Sequence, residues 1–326
     1  MLKWLLLPTA IFYGSIIFIR NIIFDFKIIK NTKLSKPVIS IGNITSGGTG
    51  KTPLTIFFAE EAKKRGLNPG IVSRGYGRKT TGLQVVHNGK KLLMNVNNSG
   101  DEPFLMAIKL KNIPIIVDSN RINGAKKLID DFNVDLIILD DGFQHRYLHR
   151  DIDIILINAS VNKRIYHMLP LGMLRELPFG IKRASHVMIS KGNFKTVPKK
   201  IRSFIKNPIQ IKQSFKIDIN FKNKERLFFA FCGLADPYSF INNLNEMDIK
   251  IKDSFFLKDH ASYSKKDLNF LLYKIKESGV RNLITTEKDK IKLPKLFLDN
   301  YNIHVLYLSI KIESSITNKL FDSILD

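Results

Sequence analysis

Short apolar runs alternate with amphipathic segments along the first part of the chain. The runs at 37–41, 70–73, 113–117, 136–139, 152–157 and 186–190 are nearly continuous, as is typical of strands buried on both faces. Helical patterns lie between them, for example at 52–65, 102–111 and 121–132. Because strands that alternate with helices build parallel sheets, the pattern predicts a mostly parallel α/β sheet.

A second, shorter series of apolar runs follows a stretch that is dense in lysine. That stretch, 194–224, has weak helix signals and is predicted to hold a linker. The later runs lie at 227–231, 249–256, 282–285 and 303–308, with helical patterns between them. We therefore predict an N-terminal segment over 1–30, a larger domain over 31–218 and a smaller α/β domain over 219–326.

The N-terminal segment is apolar enough to enter a membrane. Residues 4–19 carry no charge, but Pro8 and Gly14 interrupt them, and a spanning helix needs about 20 apolar residues. A tilted span and a helix in the membrane interface both fit, with a buried core helix and a cleaved signal peptide as alternatives. Arg20 and the lysines after it predict that the rest of the chain stays in the cytoplasm.

Composition adds a strong positive charge to this picture. The 326 residues include 52 Lys and Arg against 29 Asp and Glu, which gives a net charge of +23. Such a surface attracts nucleic acid, anionic lipid or phosphorylated substrates, although a compositional bias of the whole genome would also produce it. Cys232 is the only cysteine in the sequence, which excludes a disulfide framework and any multi-cysteine metal site.

The clearest chemical motif is rich in glycine and lies between a predicted strand and a predicted helix. It consists of Ser46, Gly47, Gly48, Thr49, Gly50, Lys51 and Thr52. In a phosphate-binding loop of this kind the main-chain amides surround phosphate oxygens, Lys51 reaches the β- and γ-phosphates, and Thr52 offers a hydroxyl to Mg²⁺. The strict pattern requires a glycine where Thr45 stands, and a turn without a ligand is the alternative. No Asn-Lys-x-Asp motif for guanine is present, so the loop predicts ATP binding.

A pair of acidic residues follows a neighbouring predicted strand. The apolar run 136–139 ends in Asp140, Asp141 and Gly142. Paired carboxylates at the end of a buried strand are costly unless a cation or hydrogen bonds compensate them. The pair therefore predicts an Mg²⁺ site beside the glycine-rich loop, with a simple polar turn as the alternative.

Other motifs point less strongly to chemistry. The segment 73–78 is not a dinucleotide-binding motif, because Thr80 stands where the third glycine would be, but Arg74 and Arg78 suit phosphate contact. A zinc site on His145 and His149 is not favoured, because the sequence offers no clear third ligand. Asp101 and Glu102 precede a predicted helix, either as capping residues or with Asp101 as a catalytic carboxylate.

Taken together and in order, these motifs resemble one family, the tetraacyldisaccharide 4′-kinases, which are the lipid A 4′-kinases of Gram-negative bacteria. The resemblance covers nearly the whole chain. The matching stretches are ISIGNITSGGTGKTP (39–53), SRGYGR (73–78), GDEP (100–103), DDGFQH (140–145), LPLGMLRE (169–176), FCGLADP (231–237), DHASY (259–263) and TTEKD (285–289).

The resemblance implies a P-loop NTPase-like fold and a defined reaction. The γ-phosphoryl group of ATP would pass to the 4′-hydroxyl of a tetraacylated glucosamine disaccharide 1-phosphate, giving lipid IVA. The expected partners are ATP, Mg²⁺, this acceptor and inner-membrane lipids, with no nucleic acid. The expected location is the cytoplasmic face of the bacterial inner membrane.

The resemblance also assigns residue roles. Asp101 would accept the proton of the 4′-hydroxyl, and His260, as an imidazolium from the other domain, would keep Asp101 ionised. The metal surroundings would be formed by Thr52, Asp140, Asp141, Gln144 and Glu176. The residues that would contact the substrate are Arg74, Arg78, Arg121, His145 and Arg175.

Three positions depart from the usual pattern of the family. Leu177 replaces a proline after Glu176, Asn158 replaces an aspartate, and Ala261 replaces a second histidine after His260. Two other classes of protein remain as alternatives. One is a P-loop ATPase that binds nucleic acid through its positive charge, and the other is a membrane-attached assembly protein controlled by nucleotide.

Overall fold

The computed structural model describes residues 5–161, 165–218 and 227–325. Residues 1–4 of the predicted N-terminal segment and residues 219–224 of the predicted linker lie outside this description. The fold is built on two sheets, as expected from the two series of apolar runs.

The first sheet has eight strands, in the order β3-β4-β2-β5-β1-β6-β7-β8. The strands are β1 (Val38–Gly42), β2 (Pro69–Ser73), β3 (Gln84–Asn88), β4 (Pro114–Val117), β5 (Leu136–Asp140), β6 (Ile152–Asn158), β7 (His186–Lys191) and β8 (Ile209–Gln210). All pairs are parallel except that between β3 and β4. The predicted mostly parallel sheet is confirmed, and the edge strand β3 was missed because its burial is mixed.

The helices of this part of the chain cover both faces of the sheet. They are α1 (Leu7–Asp25), α2 (Lys51–Lys64), α3 (Val96–Ser99), α4 (Asp101–Lys109), α5 (Arg121–Phe132) and α6 (Lys199–Arg202). Side chains of α2 and α4 pack on one face around Ile39 and Ile41 of β1. Side chains of α5 pack on the other face around Val38. Burial on both faces explains why the strands read as continuous apolar runs.

The register of the central strands places the two chemical motifs side by side. Ile41 in β1 pairs with Asp140 in β5, so the glycine-rich loop and the acidic pair leave the sheet at the same edge. Val72 in β2 pairs with Leu139, which brings Ser73 to that edge as well. Parallel strands align their carboxyl ends, and this edge is where α/β sheets bind ligands.

Helix α1 lies against the first domain along one narrow stripe. Its buried residues are Ala10, Gly14, Asn21 and Phe24, while most of its large apolar side chains are exposed. The Tyr13 hydroxyl donates a hydrogen bond of 3.0 Å to the carbonyl of Arg175. By length and composition α1 could cross a membrane, with a mean hydropathy of 1.6 over an 18-residue window.

The second sheet has five strands, in the order β11-β10-β12-β13-β9. They are β9 (Lys212–Ile217), β10 (Phe228–Cys232), β11 (Ile251–Phe256), β12 (Asn282–Thr286) and β13 (Asn302–Lys311), and only the pair of β9 with β13 is antiparallel. The accompanying helices are α7 (Pro237–Glu246), α8 (Lys265–Ser278), α9 (Glu287–Lys290), α10 (Lys295–Asn300) and α11 (Ser314–Leu325). The smaller α/β unit is thus present.

The stretch predicted as a linker is ordered secondary structure in its described part. It holds α6, β8 and β9, and β9 joins the second sheet. For residues 194–218 the prediction of a linker was wrong, because edge strands with half-exposed, lysine-rich faces give a weak apolar pattern. The second sheet thus takes a strand from before residue 219, and the extent of the domains as folding units stays a prediction.

Gly42 is required where β1 meets the turn after β5. A β-carbon at this position would lie 2.6 Å from Cβ and 2.8 Å from the backbone nitrogen of Phe143. We expect Gly42→Ala to lower the free energy of unfolding by about 1–3 kcal/mol, because the turn must move away from β1. Urea unfolding measures this. Gly48→Ala is the control, since a β-carbon there meets no atom within 4 Å, and an equal midpoint in both variants would contradict the prediction.

Candidate active site

The glycine-rich loop forms an anion-binding turn at the start of α2. Gly47 and Gly50 adopt left-handed backbone conformations with φ of 101° and 94°, and Gly50 caps the helix. The Asn43 side-chain amide donates a 3.0 Å hydrogen bond to the Thr49 hydroxyl, which fixes the loop from inside. The free amides of the helix start, together with its positive end, suit phosphate oxygens.

Lys51 extends from this loop to the acidic pair. Its Nζ lies 3.6 Å from Oδ1 of Asp141, and Nη1 of Arg175 donates to the same oxygen at 2.7 Å. Burial alone would raise the pKa of Asp141, but Lys51 and Arg175 outweigh it and lower the value to about 2. The predicted proximity of the loop lysine and the acidic pair is therefore present in the fold.

Asp140 is buried, and hydroxyl groups are its hydrogen-bond partners among the described residues. It accepts hydrogen bonds from the hydroxyls of Ser73, at 2.9 Å, and Thr55, at 3.3 Å. Burial, together with the charges of Glu102 and Asp141, raises the pKa of Asp140 to about 7. The carboxylate of Glu102 in α4 thus lies close to the carboxylates of Asp140 and Asp141 at the end of β5.

The crowded carboxylates fit a divalent cation. No group of three or more His, Cys, Asp or Glu that could alone hold a metal occurs among the residues the structure describes. Mg²⁺ does not need such a cage, because it binds one or two carboxylates and completes its octahedron with phosphate oxygens and water. Asp140, Asp141 and the Thr52 hydroxyl offer oxygen ligands of this type, and a cation would relieve the repulsion that raises the pKa of Asp140.

Gln144 and Glu176 form a hydrogen-bonded set with each other and with neighbouring side chains. Glu176 is fully buried and accepts hydrogen bonds of 2.7 Å from both Arg183 and Gln144. The Asn21 side chain in α1 donates to the same carboxylate at 3.4 Å. This set of partners makes Glu176 a link between α1, the acidic turn and the segment after it.

The predicted substrate residues divide into two groups. Arg121 is buried, and burial with the nearby charge of Arg74 lowers its pKa, while Asp141 and Asp140 act in the opposite direction. Arg121 and Arg175 therefore converge on the acidic pair, and Arg74 lies close enough to Arg121 to act on its charge. Arg78 is instead bound to its own loop, where it donates to the carbonyl of Gly82 at 2.6 Å.

His145 lies close to the converging arginines. Burial, with the charges of Arg121 and Arg150, lowers the pKa of His145 to about 4. The imidazole is therefore neutral at pH 7 and its buried Nε2 has no hydrogen-bond partner in the described part of the chain. Such an atom is available to a hydroxyl of a bound sugar.

Asp101 and His260 meet across the two sheets, as the resemblance implied. Oδ2 of Asp101, at the start of α4, lies 3.2 Å from Nδ1 of His260. Nε2 of the same ring lies 3.0 Å from Nζ of Lys288. Because an ammonium group can only donate, these contacts assign Nε2 as the acceptor of a hydrogen bond from Lys288. Nδ1 then carries the hydrogen and donates it in a hydrogen bond to Asp101.

A second lysine from the smaller unit approaches the same carboxylate. Nζ of Lys292 is 3.6 Å from Asp101 and 3.2 Å from the buried Asp289. Burial would raise the pKa of Asp101, but the hydrogen bond with His260 and the charges of Lys292 and Lys288 lower it. Asp101 therefore stays ionised at neutral pH.

Sequence reasoning did not assign several of these neighbours. Lys288 and Lys292 lie in or just after the TTEKD stretch, which was matched to the family without a role. Ser73 and Thr55 sit in ordinary strand and helix patterns, so nothing in the sequence marks them as partners of Asp140. The alternation of lysine and acid over 287–292 was the available signal for the first two.

Comparison with known proteins agrees with this geometry. The family model described as Tetraacyldisaccharide-1-P 4'-kinase matches residues 2–326. The tetraacyldisaccharide 4'-kinase of Chlorobaculum tepidum is 36% identical over 302 residues, which cover 89% of this chain and 86% of that protein. The enzyme of the same name from Shewanella halifaxensis is 33% identical over 301 residues, covering 92% and 87%.

A solved structure is similar over the whole fold. The crystal structure of LpxK from Aquifex aeolicus in complex with ATP is 32% identical, with a TM-score of 0.81 over 99% of this chain and 100% of that one. The motifs, the fold and the relatives thus agree, and the chain belongs to the tetraacyldisaccharide-1-P 4'-kinase family.

Proposed function

We propose that the chain transfers the γ-phosphoryl group of ATP to the 4′-hydroxyl of a tetraacyldisaccharide 1-phosphate, the lipid kinase reaction that yields lipid IVA in lipid A biosynthesis. The relatives carry the name of this activity, and one of them was solved with ATP. The observation that supports it best is the placement of Lys51 near Asp141 together with the Asp101–His260 pair. Glu102, next to Asp101, influences Asp140, so both groups serve one site.

In this proposal Asp101 orients and deprotonates the attacking hydroxyl. His260 donates through Nδ1 to one oxygen of Asp101 and so fixes the carboxylate, leaving its other oxygen for the acceptor. Phosphoryl transfer depends more on positioning and charge neutralisation than on a strong base. An ionised carboxylate with a low pKa is sufficient for this role.

Positive groups around the acidic pair would neutralise the transferring phosphoryl group. Lys51 would reach the β- and γ-phosphates from the loop, while Arg121 and Arg175 lie close to Asp141. Asp140, Asp141 and Thr52 would hold Mg²⁺, which would neutralise charge on the phosphates. His145 is suited to hold the acceptor sugar, because its ring is neutral and its buried Nε2 has no hydrogen-bond partner among the described residues.

The lipid acceptor fits the exposed apolar surface of α1. Ile11, Phe12, Ile16 and Ile19 of this helix are exposed, while its small residues pack on the protein. A helix held along one side leaves its other face for lipid acyl chains. We place the enzyme at the cytoplasmic face of the inner membrane, where a bilayer-bound acceptor and soluble ATP can meet.

Removal of the loop lysine should abolish productive use of ATP. In Lys51→Met we expect kcat/KM for ATP to fall at least about 100-fold. The reason is that the positive charge of Lys51, which would stabilise the transferring phosphate, is lost. Transfer of radiolabelled phosphate to the disaccharide 1-phosphate measures this. Lys64→Met removes an exposed lysine at the other end of α2 and should have wild-type activity. Full activity in Lys51→Met would refute the role of the loop.

Neutralising Asp101 should slow transfer without weakening the binding of ATP. We expect kcat in Asp101→Asn to fall by about 10²–10⁴-fold, as for the loss of a general base, with an ATP dissociation constant close to that of the wild type. Kinetics and nucleotide titration test the two parts. Asp130→Asn, on the exposed face of α5, is the control. Equal losses of turnover and affinity would contradict the role.

Lys288 should set the tautomer of His260 and the acid limit of activity. Its charge lowers the pKa of Asp101, so Lys288→Met should raise that pKa and shift the acid limb of kcat/KM to higher pH. ¹⁵N shifts of histidine-labelled protein should show the Nδ1–H form in the wild type and its loss in the variant. Lys290→Met in the same short helix should change neither. An unchanged acid limb with an unchanged tautomer would overturn this role.

A further inference from the structure

A basic pocket lies at the end of α1, apart from the glycine-rich loop. Its volume is about 410 Å³. Its walls are formed by the end of α1 and the segment after it, by the loop that follows the acidic turn, and by the starts of β6 and β7. The lining side chains that carry charge are Lys27, Lys30, Arg146, Arg150, Arg183 and Asp153.

The arginines of this basic pocket are already compensated. Arg146 pairs with Asp25 at 2.7 Å, Arg150 with Asp153 at 2.7 Å, and Arg183 with Glu176 at 2.7 Å. The side chains of Lys27 and Lys30 have no partner in the part of the chain that the structure describes. The pocket therefore holds an excess of two positive charges at its rim.

One of the arginines that line the pocket also has hydrogen-bond donors without a partner. Nε and Nη1 of Arg183 are buried and have no hydrogen-bond partner among the described residues, although Nη2 is bound to Glu176. Unsatisfied buried donors of a charged group are costly. An anion with several acceptor oxygens would satisfy them after a small movement of the side chain.

The surroundings of the rim indicate a ligand at a lipid surface. Phe26 and Ile28 flank Lys27 and have exposed fractions of 76% and 72%. Exposed apolar side chains that alternate with lysines are typical of segments that lie at the headgroup level of a bilayer. This placement would put Lys27 and Lys30 in the headgroup region of a bilayer, where the lipid phosphates lie.

We infer that this basic pocket binds a phosphate group carried by a membrane lipid. A phosphate matches the pocket in charge, because its one to two negative charges balance the excess of two positive charges. It also brings several acceptor oxygens for Lys27, Lys30 and Arg183. The phosphate belongs either to the headgroup of a phospholipid or to the acceptor itself. The second source rests on the proposed function, whereas the first requires only the attachment of α1 to a membrane.

The backbone at Lys27 allows a conservative removal of its charge. Lys27 has a φ of 56°, and Ile28 donates its amide hydrogen to the carbonyl of Ile23 at 3.0 Å, which closes the end of α1. Asparagine tolerates this left-handed position well. The double variant Lys27→Asn/Lys30→Gln should therefore fold normally and differ from the wild type only at the rim of the pocket.

The test uses the full chain in neutral detergent and a monomeric short-chain lipid, dihexanoyl phosphatidate. Calorimetric titration should show one saturable site in the wild type and a loss of affinity of about tenfold or more in Lys27→Asn/Lys30→Gln. Dihexanoyl phosphatidylcholine, whose headgroup is neutral overall, should bind more weakly to the wild type. Lys33→Gln/Lys36→Gln removes the same charge from the same segment outside the pocket and should retain the affinity of the wild type.

Kinetics with the acceptor distinguish the two sources of phosphate. If phosphatidate raises the KM for the disaccharide 1-phosphate competitively, and the pocket variant raises it likewise, the acceptor's own phosphate occupies the pocket. If phosphatidate binds without changing that KM, the pocket holds a headgroup. An enzyme that phosphorylates the acceptor but binds phosphatidate equally in all variants, or not at all, overturns the inference and leaves the proposed function intact. Absence of phosphorylation overturns only the proposed function.

Discussion

Carboxylates placed out of water at the edge of the first sheet must be compensated, and the site is arranged around this requirement. Asp141 has Lys51 and Arg175, Asp101 has His260 and Lys292, and Glu176 has Arg183. Asp140 differs, since its hydrogen-bond partners in the described part of the chain are the hydroxyls of Ser73 and Thr55. A cation bound beside it would therefore lower the cost of burying this carboxylate.

The smaller unit contributes the groups that surround Asp101. His260, Lys288 and Lys292 all come from it, while the glycine-rich loop and the acidic pair come from the part of the chain that forms the first sheet. Direct contacts hold the two together close to the site, such as the 2.6 Å ion pair between Lys109 and Glu287. Because Glu287 precedes Lys288 in α9, this ion pair also positions the lysine that acts on His260.

The first domain could be predicted well from the sequence, because its strands are buried on both faces and their patterns are unambiguous. The motif around Lys51 and the pair at Asp140 and Asp141 were placed correctly at one edge, since parallel strands leave no other arrangement. β3 and β9 were missed, because a strand at the edge of a sheet need not be continuously apolar. The contact of Lys288 with His260 was also beyond reach, since only the tertiary fold brings this lysine to the ring.

The contact between α1 and Glu176 has a consequence for how such an enzyme is handled. Asn21 donates to the same buried carboxylate that holds Gln144, and Asp25 neutralises Arg146 in the loop after the acidic turn. Cutting the helix away to obtain a detergent-free protein would leave a hole where Phe24 packs and would leave the Arg146 guanidinium without Asp25. Solubility gained by truncation would thus come with an altered catalyst, and rate constants measured on a shortened chain would not describe the intact one.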